Sequence, residues 1–199
     1  MNTNKISFFQ SFFFFLVLGF SACCAIIIPQ SYQANLLLPI NTTLTPGKRV
    51  NLSVEVPRGF RALPQPENAM INEFIPVTDK DVYAWSQIIV TQVFVGRGIS
   101  AQYLVGSMKE RIIQKPDTNV KVLFESAHDY NTYTTASMII SYTNPDQNRR
   151  EVMLARYYSG PYDCSGFHYT ISLSGNKSEA DAVEKLKEFA EKRTSLLKF

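Results

Sequence analysis

Four consecutive stretches of alternating apolar and polar residues, Val120–Ser126, Thr132–Tyr142, Glu151–Tyr158 and Phe167–Leu173, constrain this chain more than any other feature. A period of two sends successive side chains to opposite faces, so each stretch reads as a strand. Asn144-Pro145-Asp146 makes the middle turn, and the four strands read as an antiparallel meander. Amphipathic helices flank them. Ser100 is placed to cap the first, Ala101–Gln114, whose Ala101, Leu104, Val105, Met108 and Ile112 form one apolar stripe before Lys115-Pro116 stops it. Ser178 opens the second, with Asp181 three residues on, and Ala180, Val183, Leu186, Ala190 and Leu197 are its expected buried face. The sheet faces bearing Ala136, Met138, Ile140 and Tyr142, and Phe167, Tyr169, Ile171 and Leu173, both need a cover, which these helices supply. The fold class that follows is α+β: an antiparallel sheet of about four strands plus an amino-terminal hairpin region, covered by two amphipathic helices.

Upstream, Val50–Val56 alternates cleanly and Pro57-Arg58-Gly59-Phe60 turns it. Residues 61–70 carry Pro64 and Pro66 and read as irregular. Glu73-Phe74-Ile75-Pro76 is a short extended piece that Pro76 keeps from a sheet centre. Trp85–Val95 is a strand by its β-branched and aromatic content, closed by Gly96 and Gly98.

The amino terminus is of another kind. Lys5 precedes FFQSFFFFLVLGFSACC (Phe8–Cys24), an uncharged apolar run leading into small residues, which is the layout of a secretory signal. Phe20-Ser21-Ala22-Cys23 resembles the lipobox of bacterial lipoproteins, although Phe20 stands where that family has Leu. The resemblance implies acylation of Cys23 and cleavage before it. Two alternatives stay open. A signal peptidase could cut after Ala25 and release the chain, or the uncharged span Ile6–Gln30 could remain as an inner-membrane anchor, since roughly 20 apolar residues cross a bilayer. All three place the body of the chain outside the cytosol. With Cys24 rather than Asp after the acyl site, the resemblance implies the outer membrane, lipid-anchored and periplasm-facing. The expected organisation is a signal peptide over 1–22, a lipid-anchored linker over 23–48 and a single α+β domain over 49–199.

Charge narrows the partners. The 20 basic residues, one of them Lys5 in the leader, face 17 acidic ones, too even a balance for nucleic-acid binding. The expected partners are the membrane, reached through the amino-terminal lipid or an uncleaved anchor, and proteins of the envelope. With Cys23 acylated, Cys24 and Cys164 are the thiols a disulfide would join.

The order of elements, with the opening strand SVEVPRGF (Ser53–Phe60), resembles the PsbP-like fold of photosystem extrinsic subunits and a Ran-binding import factor. There too a strand ending in Pro-x-Gly-aromatic begins the domain and a terminal helix packs back on the sheet. Glu73-Phe74-Ile75-Pro76 followed by Trp85 resembles small bacterial exported proteins of unknown role. The likeness implies a docking or assembly module, and it transfers no site residues.

No constellation reads as catalytic. Asp163-Cys164-Ser165-Gly166-Phe167-His168 brings a thiol, a carboxylate and an imidazole close in sequence, but it reads as a turn followed by a solvent-facing His168. Cys164, His168 and the distant His128-Asp129 fit no metal-ligand spacing, and no cofactor is expected. Gly96-Arg97-Gly98 is too short to cradle phosphate. Arg149-Arg150 reads as a solvated edge. The aromatic residues around Ser159–Gly166 are the exception: Tyr158, Tyr162 and His168 are the candidate partner-binding residues, Tyr162 because the loop exceeds a tight hairpin. The expected function is that of a periplasmic binding or assembly module, an accessory subunit of an envelope complex such as a secretion machine. The alternative is a small-ligand-binding or hydrolytic envelope protein using the Cys164/His168 loop.

Overall fold

The computed structural model describes residues 37–39, 52–66, 70–95, 98–175 and 177–196. The leader, Cys23, Cys24 and most of the linker lie outside the described residues.

The expected meander is present and longer than its alternation suggests. Strands β6 (Lys121–Asp129), β7 (Thr134–Asn144), β8 (Arg149–Ser159) and β9 (Asp163–Ser172) pair antiparallel in that order. The sheet does not stop at four. β9 also pairs with β5 (Gln87–Val95), β5 with β4 (Ile71–Pro76) and β4 with β3 (Phe60–Ala62), giving seven strands in the order β3-β4-β5-β9-β8-β7-β6. Pro76 is tolerated inside this sheet because it is the last residue of β4, opposite Phe60 at the start of β3. The chain reaches β3 through Pro57-Arg58-Gly59, where Gly59 at φ +85° takes a backbone shape that L side chains rarely adopt.

The amino-terminal hairpin forms a second, three-stranded sheet. β1 (Leu37–Pro39) and β10 (Thr194–Leu196) flank β2 (Leu52–Glu55), both antiparallel to it. β10 lies where the sequence pattern extends the last helix to Leu197. The helix ends at Lys192 instead, Arg193 caps it, and Thr194 returns its hydroxyl to the Ala190 carbonyl at 2.7 Å.

The two helices cover opposite faces of the large sheet. Helix α1 (Ala101–Ile113) starts as expected, with the Ser100 hydroxyl accepting from the Tyr103 N–H at 3.0 Å. It buries Ala101, Val105, Met108 and Ile112 on β7 and β8, against Ala136, Met138, Ile140 and Tyr142. Helix α2 (Glu179–Lys192) is capped by Ser178 through the Asp181 N–H at 3.0 Å. Its buried face is Ala182, Leu186, Phe189 and Ala190; Ala180 is exposed. Phe189 sets that rotation, meeting Phe167 and Tyr169 edge-on at centroid distances of 5.5 and 4.9 Å.

One consequence governs the site. β9 is the middle strand with a covered face on each side, and every residue from Asp163 to Ser172 is buried. It therefore has no solvent side.

Candidate interaction surface

The burial of β9 relocates the residues singled out in the sequence. Ser159 pairs with Cys164, and the Gly160 N–H bonds the Asp163 carbonyl, so the β8–β9 connection is a tight turn of Gly160, Pro161 and Tyr162. The long loop expected from Ser159 to Gly166 is not there. Asp, Ser and Gly favour turns, but here they begin a strand. Tyr162 is half-buried in that turn.

Cys164 is wholly buried in the α1-side core, and among the described residues it is a free thiol. His168, expected to face solvent, is 3% exposed between Val90 and Ala155 of the neighbouring strands. Cys164 and His168 share a face of β9 four residues apart, which on a strand is roughly 13 Å. No dyad can form at that separation. Burial also pushes the Cys164 thiol up to about 12, with Asp163 adding to the effect, and drops the His168 imidazole to about 4. Thiol and imidazole are both neutral at pH 7, the reverse of an activated pair.

The His168 shift has a measurable consequence. Unfolding returns the imidazole to its ordinary 6.5, so the unfolded chain takes up the proton first as the pH falls. This contribution to stability is complete above pH 6.5 and is lost between 6.5 and about 4. His168→Gln should flatten that arm of the urea-midpoint profile. Parallel profiles for the two proteins across this window would show that His168 is not buried and neutral.

The Arg149-Arg150 pair also departs from expectation. Arg150 is exposed and bonds Ser141 and Glu179, but the Arg149 side chain is only 16% exposed. Arg149 lies 4.1 Å over the Trp85 ring, donates to the Trp85 carbonyl at 2.8 Å and to Glu151 at 2.8 Å. Glu151 also accepts from Tyr142 at 2.6 Å and Asn144 at 3.1 Å. With Glu151 1% exposed, the cluster ties β7, β8 and the Trp85 segment together in the interior.

The accessible chemistry lies on the other face. Helix α2 sits over β8; on the α2 side Ser137, Ile139 and Ser141 of β7 are buried, while β6 is largely exposed. Clefts sharing Lys187 run along the helix there, floored by Leu123, Phe124, Ile139 and Leu154 and walled by Ala180, Val183 and Ala190. Arg156 forms part of the floor and is held in place, with Nε on the Ser137 hydroxyl at 2.9 Å and Nη1 on the Ala190 carbonyl at 3.3 Å. Phe124 is 39% exposed.

At the β6–β7 turn the same side carries an aromatic cluster. Tyr130 stacks on Tyr133 at 4.7 Å, and Tyr133 meets Tyr158 at 6.2 Å. His128 lies 6.5 Å from Tyr130, which is 52% exposed. Tyr158 is thus the sequence candidate that the structure brings to an accessible aromatic surface. Phe124, Tyr130 and Tyr133 are its missed neighbours. Their alternation was legible, but only the position of β6 at the sheet edge shows that no helix covers them. Among the described residues no three His, Cys, Asp or Glu side chains gather as metal ligands would.

No protein-family profile matches the sequence, and no curated protein does. Solved structures do match. The Ran-binding protein Mog1p of Saccharomyces cerevisiae is 14% identical, with 73% of this chain and 89% of that one covered and a TM-score of 0.47. Cyanobacterial PsbP from Synechocystis is 9% identical over 73% and 86%, also at 0.47. LpqN of Mycobacterium tuberculosis, described as involved in cell envelope biogenesis, is 12% identical over 76% of this chain and 86% of its own, with a TM-score of 0.50. At such identity the likeness to LpqN is one of fold, and the fold is the α+β arrangement of a mostly antiparallel sheet and two helices described above.

Proposed function

We propose that this chain is a binding module of the bacterial cell envelope, working as an accessory or assembly subunit of an envelope complex such as a secretion machine. The observation that carries the reading is the α2-side groove, with apolar floor, fixed Arg156 and stacked tyrosines on the uncovered flank of a rigid sheet. Aromatic and arginine side chains are the residue types that anchor protein interfaces. Cys164 and His168, the pair that a hydrolytic reading would use, are buried, neutral and far apart. The leader supports the address: Cys23 is the acyl site, the domain faces the periplasm, and the outer membrane holds the lipid. LpqN, whose fold is similar, is described as involved in cell envelope biogenesis, which supports an envelope role.

The test pairs Tyr130→Ala, at the aromatic end, with Ala180→Trp, which fills the cleft beside α2. Both residues are exposed, so urea midpoints should stay within about 0.5 kcal/mol of wild type. Co-purification of a partner from detergent-solubilised membranes should weaken by about 1–2 kcal/mol for the lost aromatic, roughly 5- to 30-fold. Unchanged yields for both variants would move the binding surface elsewhere. In the same cells Cys23→Ser should abolish palmitate incorporation; a variant that still incorporates label and matures would remove Cys23 as the anchor.

A further inference from the structure

The large sheet has two edges of unequal kind. β3 presents three residues and β6 presents nine. Strand edges offer unpaired N–H and C=O groups, and proteins blunt them with proline, charge or bulges. β6 contains no proline. Its one irregularity is a register shift between Val122 and Phe124, and beyond it Phe124–Asp129 runs in unbroken register against Ile139–Thr134. Exposed apolar side chains collect on this strand and its turn: Val122 at 45%, Phe124 at 39% and Tyr130 at 52%.

We propose that a second copy of this chain pairs antiparallel along the outer edge of β6, with the twofold axis at Ser126. Residues facing each other across antiparallel strands share a face of the sheet, so the axis passes through a residue, not between two. Four interior positions fall in the regular stretch, and an axis at His128 sets the two imidazoles against each other with a single flanking pair, Ala127 against Asp129, inside it. An axis at Glu125 sets two copies of Glu125 against each other, and one at Ala127 sets Glu125 against Asp129. Like charges directly opposite are destabilising, which removes both. The axis at Ser126 sets Glu125 against Ala127 and Phe124 against His128, so an exposed ring gains a cross-strand aromatic partner. Lys109 holds Glu125 at 2.8 Å on the α1 side, which fixes the carboxylate at that edge position. In the pair the two sheets become one, and both α2-side grooves open on the same side of it as a single longer surface.

The test uses the full chain in detergent, with sedimentation read over a range of protein concentrations. The wild type should pass from one chain to two as concentration rises. Ala127→Lys places a cation against Glu125 of the second copy at two symmetry-related positions, and Ala127→Glu places an anion there. Two such cross-strand pairs should tighten the first and loosen the second by about 2- to 30-fold in dissociation constant. Because the two variants alter one exposed residue, opposite shifts cannot come from misfolding. In a chain with Cys23→Ser and Cys24→Ser, Ser126→Cys should cross-link to its own copy far faster than Glu110→Cys on exposed α1. A single chain at every concentration, shifts of the same sign in both Ala127 variants, or equal cross-linking of the two cysteine variants would each overturn the proposal. Self-association is read here without any partner, so its failure is distinct from a failure of the groove to bind one.

Discussion

Gly166→Ala is expected to destabilise the domain by about 3 kcal/mol or more, among the largest effects of any single methyl group in this protein. Gly166 lies on β9 directly opposite Tyr157 of β8, and the tyrosine ring lies over the bare glycine backbone. A Cβ built there meets Tyr157 Cδ1 at 2.2 Å and the Arg156 carbonyl oxygen at 2.6 Å. The ring cannot swing away freely. Tyr157 is wholly buried, packs near Phe94 at 6.2 Å and donates to the Gln92 side-chain oxygen at 2.9 Å. The carbonyl belongs to the β8 backbone and cannot move without opening the ladder. Gly106 on α1 is the internal control, since nothing lies within 4 Å of its missing Cβ. Gly106→Ala should stabilise by up to about 1 kcal/mol through helix propensity alone. Urea midpoints of the two variants should therefore move in opposite directions. A Gly166→Ala protein as stable as wild type would mean that β8 and β9 are not in this register.

The same pair lies where sequence pattern and structure part. Alternation locates β6, β7, β8 and most of β9 to within a few residues. It does not tell whether the more polar face is wet, and in β7, β8 and β9 both faces are buried. In β9 the polar set His168, Thr170 and Ser172 has the pattern of a solvent face but occupies the α1-side interior. Asp163-Cys164-Ser165-Gly166 has the composition of a turn, but Gly166 lies in β9 beneath the Tyr157 ring. Short elements escaped for other reasons: β3 runs into a proline-rich segment, and β10 has three residues. The accessible surface was only partly legible. Tyr158 was picked out by its aromatic neighbours in sequence, whereas Phe124 and Tyr130 belong with it through pairing across β6, β7 and β8.

Glu151→Leu is expected to cost about 3–5 kcal/mol, the range for breaking a buried ion pair by removing one partner. The carboxylate accepts from Arg149, Tyr142 and Asn144 at once, so its loss takes an acceptor from three donors, two of them in the interior. Burial and the Glu151 charge both hold the Tyr142 phenol well above its ordinary range, so it stays protonated and cannot answer the loss by ionising. Arg149 keeps its bond to the Trp85 carbonyl and its place over the indole, but its charge has no counterpart left. Glu151→Gln retains an oxygen acceptor and should fall between Glu151→Leu and wild type. The decisive variant is the double one. Arg149→Leu with Glu151→Leu removes cation and anion together, and well-packed apolar replacements of a buried pair are often near neutral. The double variant should recover at least half of the stability lost by Glu151→Leu alone. Simple additivity of the two single costs would mean that Arg149 and Glu151 do not act as a pair, and that Trp85 alone holds the arginine.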